Sequence, residues 1–204
     1  SHDKLKIVAG FMDGKVLDQK EVAIIATLPS LEEARAKIVG ILTSPAQKLV
    51  SILPHGEETK VMLTNSGAES VENAIKIARM ATGKQGIVAF TGAFHGRTMM
   101  AMTLTSKTKY KTGCGPFAPE VYRLEYPYYF RYGDGLTESE YLDQQIQKLK
   151  DFFLYQASGD QIAAVILEFV QGEGGFTVMP PKYLEALEKI CKENKILIIA
   201  DEVQ

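Results

Sequence analysis

The sequence has little cysteine, no tryptophan and no long apolar run. Its two cysteines, Cys114 and Cys191, lie far apart, which argues against a disulfide framework and favours a reducing, cytoplasmic location. Together with three scattered histidines they have no spacing typical of a zinc site, so we expect no metal. No apolar run reaches the ~20 residues that span a bilayer, and residues 1–4 do not open a signal peptide, so we expect no membrane association.

Basic residues are not in excess either. Lys and Arg total 23 against 25 Asp and Glu, a net charge of −2, which argues against a general nucleic-acid-binding surface. The chain is nevertheless 46% hydrophobic and 24% charged, as in ordinary globular proteins. Its 204 residues suffice for one domain or two small ones.

The chain divides into two pieces of different pattern, residues 1–54 and 55–204. The first piece predicts a small α+β segment, with a strand at residues 5–9, a turn at 13–14 and two helices capped by Asp18 and Ser30. It contains no nucleophile–base pair and no phosphate-binding loop, so we expect no chemistry from it.

The second piece alternates predicted strands with predicted helices. This order is typical of an α/β fold with a mostly parallel sheet and helices on both faces. The predicted strands are residues 61–64, 87–90, 162–170 and 196–200, and the predicted helices are residues 71–78, 141–153 and 183–193.

Parallel sheets bind ligands at the carboxyl ends of their strands, so the residues that follow each predicted strand are the candidates for a site. Residues 64–69 lead from a strand into a helix and could bind a phosphate at the helix N-terminus, although a plain turn has the same pattern. Phe94 and His95 lie side by side between two glycines and could stack on a flat ring, or simply form a tight loop.

Carboxylates follow the other two strands. Glu168 ends a buried strand, where it needs a cation, a donor or a ligand as partner, while Glu173 lies in a glycine-rich loop and could be merely solvated. Asp201 could pair with a protonated ring nitrogen or cap the next element. The four segments in this order indicate a pyridoxal phosphate site.

Residues 57–204 resemble class III, pyridoxal-phosphate-dependent aminotransferases, in particular the 4-aminobutyrate aminotransferase group. The stretches that carry the resemblance are residues 65–74, 92–98, 115–119, 170–175 and 200–204. The resemblance implies a partial aminotransferase large domain of fold type I. It also implies a homodimer and transfer of an amino group from an amino acid or ω-amine, such as 4-aminobutyrate, to a 2-oxo acid, such as 2-oxoglutarate.

The resemblance also implies roles for single residues. Ser66, Gly67 and Ala68 would hold the cofactor phosphate, and Phe94 would stack on the pyridine ring with His95 beside it. The remaining ring contacts would come from Asp201 at the ring nitrogen, Val203 on the opposite face and Gln204 near the ring hydroxyl.

Two acidic residues would face the substrate. Glu168 would lie in the substrate region, and Glu173 would correspond to the residue that helps to gate an arginine for dicarboxylates. Phe169 stands where the family usually has proline. The family's Schiff-base lysine lies well downstream of the Asp201 motif and is not among these residues, so we expect no catalytic residue here and no activity from this chain alone.

A second resemblance supplies the alternative. Residues 5–53 resemble a fragment of the bacterial large-subunit ribosomal protein that anchors the stalk dimers (number ten). On this interpretation the chain is a non-catalytic fusion or fragment, joined near residues 54–56, and only its first piece would meet ribosomal RNA.

Overall fold

The computed structural model describes residues 10–12, 14–26, 30, 32, 33, 35–37, 39 and 60–203. The chain divides into two compact units, Ser1–Met62 and Leu63–Gln204. The strand expected at residues 5–9 and the site residue Gln204 lie outside the described residues. Within the described ranges, no helix combines the length and apolarity that a membrane crossing demands.

The first unit contains a small hairpin. Strands β1 (Gly10–Met12) and β2 (Lys15–Leu17) pair antiparallel, with Phe11 opposite Val16. Gly14 lies in the turn between them with φ of +79°, a conformation that glycine adopts without a steric penalty. The turn expected at residues 13–14 is therefore confirmed at Gly14.

The structure also confirms both capping residues expected in the first unit. Helix α1 (Gln19–Ala26) begins after Asp18, whose Oδ1 accepts the Glu21 N–H at 2.7 Å while Glu21 Oε2 accepts the Asp18 N–H at 2.8 Å. Ser30 and Glu33 exchange the same pair of hydrogen bonds, at 3.2 and 2.8 Å. Each pair forms a capping box, which satisfies backbone donors at a helix start.

The second unit is built on a parallel sheet of four strands in the order β4–β3–β5–β8. Its members are β3 (Gly86–Phe90), β4 (Val121–Leu124), β5 (Ile162–Leu167) and β8 (Leu197–Ala200). The short strands β6 (Val170–Gln171) and β7 (Thr177–Val178) form a separate antiparallel pair.

The described residues of this unit also contain five α-helices. They are α2 (Gly67–Thr82), α3 (Met99–Leu104), α4 (Tyr129–Tyr132), α5 (Glu138–Tyr155) and α6 (Pro181–Glu193). Helix α2 ends at Thr82 and is followed by Gly83, which has φ of +70° and donates its N–H to Arg79 O, a typical glycine C-cap.

The helices cover both faces of the sheet, as the sequence predicts. Ile87 of β3 and Ile166 of β5 pack against α2 and α3 on one face, whereas Val88 and Val165 pack against α5 and α6 on the other. All residues of β3 and β5 are buried. A strand covered on both faces has no polar side, which explains the continuous apolar runs in these segments.

Two sequence interpretations need correction, and one strand has no counterpart among the predicted strands. Residues 61–64 form no strand, and Leu63 is 71% exposed, because this apolar stretch has no neighbouring strand in the described part of the chain. The apolar run of residues 162–170 is interrupted at Glu168, so it contains β5 and then β6. The stretch that follows residue 103, which carries no clear periodicity, contains β4.

Candidate functional site

A cavity of about 240 Å³ lies where the sequence predicts a site, beside the start of α2 and the carboxyl ends of the central strands. Its volume is just below the ~300 Å³ at which ligand pockets usually begin. The lining residues are Gly67, Ala68, Phe94, His95, Gly96, Glu168, Glu173, Asp201 and Val203. Eight of these nine residues are sequence-predicted site residues, so the fold brings most of the candidates together.

The cavity includes the first turn of α2. Ser66 caps this helix by accepting the Glu69 N–H on its Oγ at 3.3 Å. Gly67 and Ala68 line the cavity, and their backbone N–H groups belong to the unpaired donors that every helix start presents. Ser66 is not among the lining residues, so the structure gives it a capping contact rather than a place in the cavity wall.

His95 and Asp201 form a polar contact in the wall of the cavity. His95 Nδ1 lies 2.8 Å from Asp201 Oδ2, and the two side chains are 0% and 9% exposed. Because an ionised carboxylate only accepts hydrogen bonds, Nδ1 carries the hydrogen in this contact. Asp201 follows β8, and its N–H donates to Leu167 O at 2.8 Å, which ties the residue to the end of β5.

The other nitrogen of His95 is unusual for a buried group. His95 Nε2 has no hydrogen-bond partner among the residues that the structure describes. Buried polar atoms in native proteins nearly always have a partner, and an exception calls for an explanation such as an additional bound group.

Glu168 has the partners that its burial demands. Its Oε1 accepts the Phe94 N–H at 2.9 Å and its Oε2 accepts the Gly172 N–H at 3.1 Å, while the residue is 4% exposed. The carboxylate therefore joins the loop after β3 to the turn after β6. Tyr126 secures the same corner by directing its hydroxyl at Glu168 O, 3.1 Å away, and burial raises the pKa of this phenol.

Phe94 lines the cavity and packs against an aromatic neighbour. Its ring meets Tyr110 edge to face, with the centroids 5.1 Å apart. Two cations flank the Tyr110 ring: Arg97 Cζ lies 4.9 Å and Lys109 Nζ lies 4.6 Å from its centroid. The aromatic side of the cavity is thus bordered by positive charge.

Glu173 is the only one of the lining carboxylates engaged by a lysine among the described residues. Lys107 Nζ lies 3.0 Å from Glu173 Oε2, with both side chains about 40% exposed. Its hydrogen bond from Lys107 lowers the pKa of the Glu173 carboxyl, with Tyr110 adding to the effect. Water and salt screen both charges of such an exposed pair, so it adds little stability and is easily opened.

The backbone at Gly96 lies in close contact with two helices, α2 and α3. With φ of +118°, it approaches α2 so closely that a Cβ at this position would lie 2.7 Å from Ala68 Cβ and 3.2 Å from Ala101 Cβ. Only glycine fits both the backbone angle and the space. The segment that carries His95 therefore lies directly against the start of α2.

Besides the lining residue Gly96, three residues that contact the cavity wall were not among the sequence-predicted site residues: Thr105, Lys107 and Tyr110. Thr105 accepts the His95 N–H, Lys107 pairs with Glu173, and Tyr110 contacts Phe94. They lie in a stretch without periodicity, 10 to 66 residues from their partners, and no local pattern marks them.

The chemistry of the cavity matches pyridoxal phosphate. The cofactor is a flat ring with a basic nitrogen and a phosphate. The start of α2 suits an anion, Phe94 offers an aromatic surface, and Asp201 places a carboxylate in the cavity wall. His95 Nε2 supplies the orphaned buried atom that a filled site would be expected to satisfy. The residues present therefore fit the group.

Comparisons with known proteins agree with this fit. The Aminotransferase class-III family profile matches residues 36–204. A relative from Bacillus subtilis named probable 4-aminobutyrate aminotransferase is 48% identical over 160 residues, which cover 78% of this chain and 37% of that protein. The chain thus spans about a third of the length of such relatives.

Solved structures give the same result. An (S)-enantioselective omega-transaminase from Thermomicrobium roseum superimposes with a TM-score of 0.71 at 36% identity, covering 78% of this chain and 36% of that one. An omega transaminase from Pseudomonas jessenii in complex with PMP has a TM-score of 0.69 at 29% identity, covering 76% and 36%. With the fold, the cavity and the sequence in agreement, the chain belongs to the class III aminotransferase family, whose members depend on pyridoxal phosphate.

Proposed function

We propose that this chain forms the pyridoxal-phosphate-binding part of an aminotransferase. The observation that carries the proposal is the buried contact between His95 Nδ1 and Asp201 Oδ2 in the wall of the cavity at the start of α2. One oxygen of the carboxylate is held by the histidine, which orients the other for a ligand. When bound, pyridoxal phosphate supplies an electron sink, because its protonated ring nitrogen withdraws electrons from the reacting carbon.

The first turn of α2 would hold the phosphate. Gly67 and Ala68 supply backbone N–H groups, and the helix dipole of 16 residues favours negative charge at this end. Ser66 would contribute indirectly, because its cap fixes the geometry of the turn.

The ring would lie between Phe94 and Val203, with Asp201 at its nitrogen. His95 keeps the Asp201 carboxylate in one orientation by donating from Nδ1. Gln204 remains our proposed contact for the ring hydroxyl.

The substrate would approach past Glu168 and Glu173 and past two nearby cations, Arg97 beside Tyr110 and Lys107 beside Glu173. An amino donor such as 4-aminobutyrate carries a carboxylate, for which Arg97 and Lys107 offer a positive border. Glu173 would open from Lys107 when a substrate competes for that cation. The amino acceptor would be a 2-oxo acid such as 2-oxoglutarate.

The wider context is also a proposal. We expect the intact protein to be a cytoplasmic homodimer; Cys114 and Cys191 are both unpaired. The rival hypothesis, a non-catalytic fusion with a ribosomal-protein fragment at residues 5–53, competes with a family match that already begins at residue 36. A salt-dependent complex with ribosomal RNA would support the rival.

Titration of the purified chain with pyridoxal phosphate, followed by cofactor absorbance, tests the proposal. Wild type is expected to bind saturably, and Asp201→Asn to bind roughly 10- to 150-fold more weakly, as for a lost hydrogen bond to a charged group. Glu202→Gln removes the neighbouring exposed carboxylate and is the matched control. Absence of binding, or equal binding by wild type and Asp201→Asn, would refute the proposal. Borohydride treatment followed by intact mass reports any covalent attachment.

A further inference from the structure

The hydroxyl group of Thr105 is buried next to the site but belongs to none of the roles assigned so far. Thr105 is 0% exposed and directly follows α3. Its Oγ1 accepts the His95 N–H at 3.0 Å and lies 3.1 Å from Gly96 O and 3.0 Å from Ala101 O. A hydroxyl has one hydrogen, so it donates to one of these carbonyls while it accepts from His95.

A second contact fixes the same two segments. The Ser106 N–H donates to Ala93 O at 2.8 Å, one residue from the Thr105 contact. The backbone of residues 93–96 is therefore joined to residues 105–106 on both sides of Phe94. Gly96 is at the same time in close approach to Ala68 of α2.

Thr105 is itself held in place. Arg123 of β4 donates from its guanidinium to Thr103 O at 2.7 Å and to Leu104 O at 2.8 Å. At the other end of α3, Glu72 Oε1 accepts the Met100 N–H at 2.9 Å. A hydroxyl on an anchored helix end can set the position of the loop that bonds to it.

From these contacts we propose that Thr105 is a positioning residue for the cofactor site. Its hydroxyl fixes the backbone of His95 and Gly96 and so holds the His95 ring at hydrogen-bond distance from Asp201. The inference rests on the proposed function, because it adds a residue to the same site. Thr105 does not itself line the cavity, and its hydroxyl contacts the wall through the backbones of His95 and Gly96, so its effect on the site passes through that segment.

The test uses the 204-residue chain and three substitutions. Thr105→Val removes the hydroxyl with little change of shape, and Thr105→Ser keeps it. Thr103→Val is the matched control, because Thr103 is also a buried threonine near the end of α3, but its hydroxyl serves Met99 and Ala118. Should Thr105→Val fail to fold, Thr105→Ala removes the hydroxyl without adding volume.

Two readouts separate positioning from simple stability. Proton NMR detects the downfield signal of the His95 Nδ1–H bonded to Asp201, and its absence in His95→Gln assigns it. Titration with pyridoxal phosphate gives the cofactor affinity. We expect Thr105→Val to lose or broaden the signal and to bind the cofactor about tenfold more weakly, as for one lost buried hydrogen bond. Thr105→Ser and Thr103→Val should keep both properties.

A wild-type His95 signal and cofactor affinity in Thr105→Val would overturn the proposal. Weaker binding with an unchanged His95 signal would overturn it as well, since Thr105 would then act on another part of the site. An equal loss in Thr103→Val would reduce the effect to general destabilisation and count against positioning. If wild type binds no pyridoxal phosphate, the proposed function fails, and the His95 signal alone decides the role of Thr105.

Discussion

Replacing Gly96 with alanine would insert a methyl group between the loop that carries His95 and the start of α2. The new Cβ would lie 2.7 Å from Ala68 Cβ and 3.1 Å from Ala68 Cα, both shorter than a carbon–carbon contact of ~3.5 Å. Because Ala68 has no flexible side chain to move aside, either the loop or the helix must shift.

Two energy terms add for this substitution. A non-glycine residue at positive φ costs ~1–2 kcal/mol, and overpacking a dense region costs ~1–3 kcal/mol. We expect Gly96→Ala to lower the free energy of unfolding by about 2–5 kcal/mol. The shift should also weaken pyridoxal phosphate binding, since the cavity is lined by both the loop and the start of α2, whichever of them moves.

Gly135 provides the control. It also has positive φ, of +81°, but a Cβ there would meet nothing within 4 Å. Gly135→Ala therefore isolates the backbone term and should cost ~1–2 kcal/mol. Urea unfolding of both variants gives the comparison. If Gly96→Ala were no more destabilising than Gly135→Ala, the close approach of the His95 loop to α2 would be wrong.

Three further substitutions test the stability of the scaffold, and one of them serves as a control. Lys84→Met removes an ammonium that donates to Gly159 O at 2.8 Å and to Asn194 O at 2.6 Å. We expect it to lower the free energy of unfolding in urea by ~1–3 kcal/mol. Lys148→Met, which breaks only an exposed ion pair, should cost ~0–1 kcal/mol, and equal losses would contradict the argument. The Thr137 hydroxyl holds the pKa of Glu140 below its ordinary value of 4.5. The ionised carboxylate therefore contributes its full stabilisation at pH values above 4.5. This contribution is lost as the pH falls through the lowered pKa of the folded state. The difference in Tm between wild type and Glu140→Gln should therefore shrink on acidification, and a difference independent of pH would exclude this linkage.

The fold was predictable where burial dictates the composition of a whole segment. Strand β5 is covered on both faces, and its run of six apolar residues predicts a buried strand. Strand β4 escapes prediction because it has four residues, and Arg123 lies among them. That arginine is accepted in the sheet since its guanidinium reaches carbonyls at the end of α3, a contact that no local pattern encodes.

The site followed the same rule. His95 and Asp201 could be assigned to one cavity because each follows its own parallel strand, and such strand ends meet at one edge of a sheet. The partners that fix these residues could not be assigned. Thr105 contacts His95 because α3, which lies between them in the sequence, returns the chain to the His95 loop. Lys107 contacts Glu173, which is 66 residues away in the sequence. Contacts of this kind depend on tertiary packing rather than on periodicity.

The order of the strands has a kinetic consequence for the site. Asp201 is attached to β8, which pairs with β5 on one side and with no other strand in the described part of the chain. Ile198 of β8 is 37% exposed, whereas β5 is wholly buried. Local opening needs less free energy where fewer contacts are broken, so β8 can separate from the sheet while β3 and β5 stay folded. Each such opening carries the carboxylate of Asp201 away from His95, and anything that pairs with the outer edge of β8 would lengthen the time during which the two remain together.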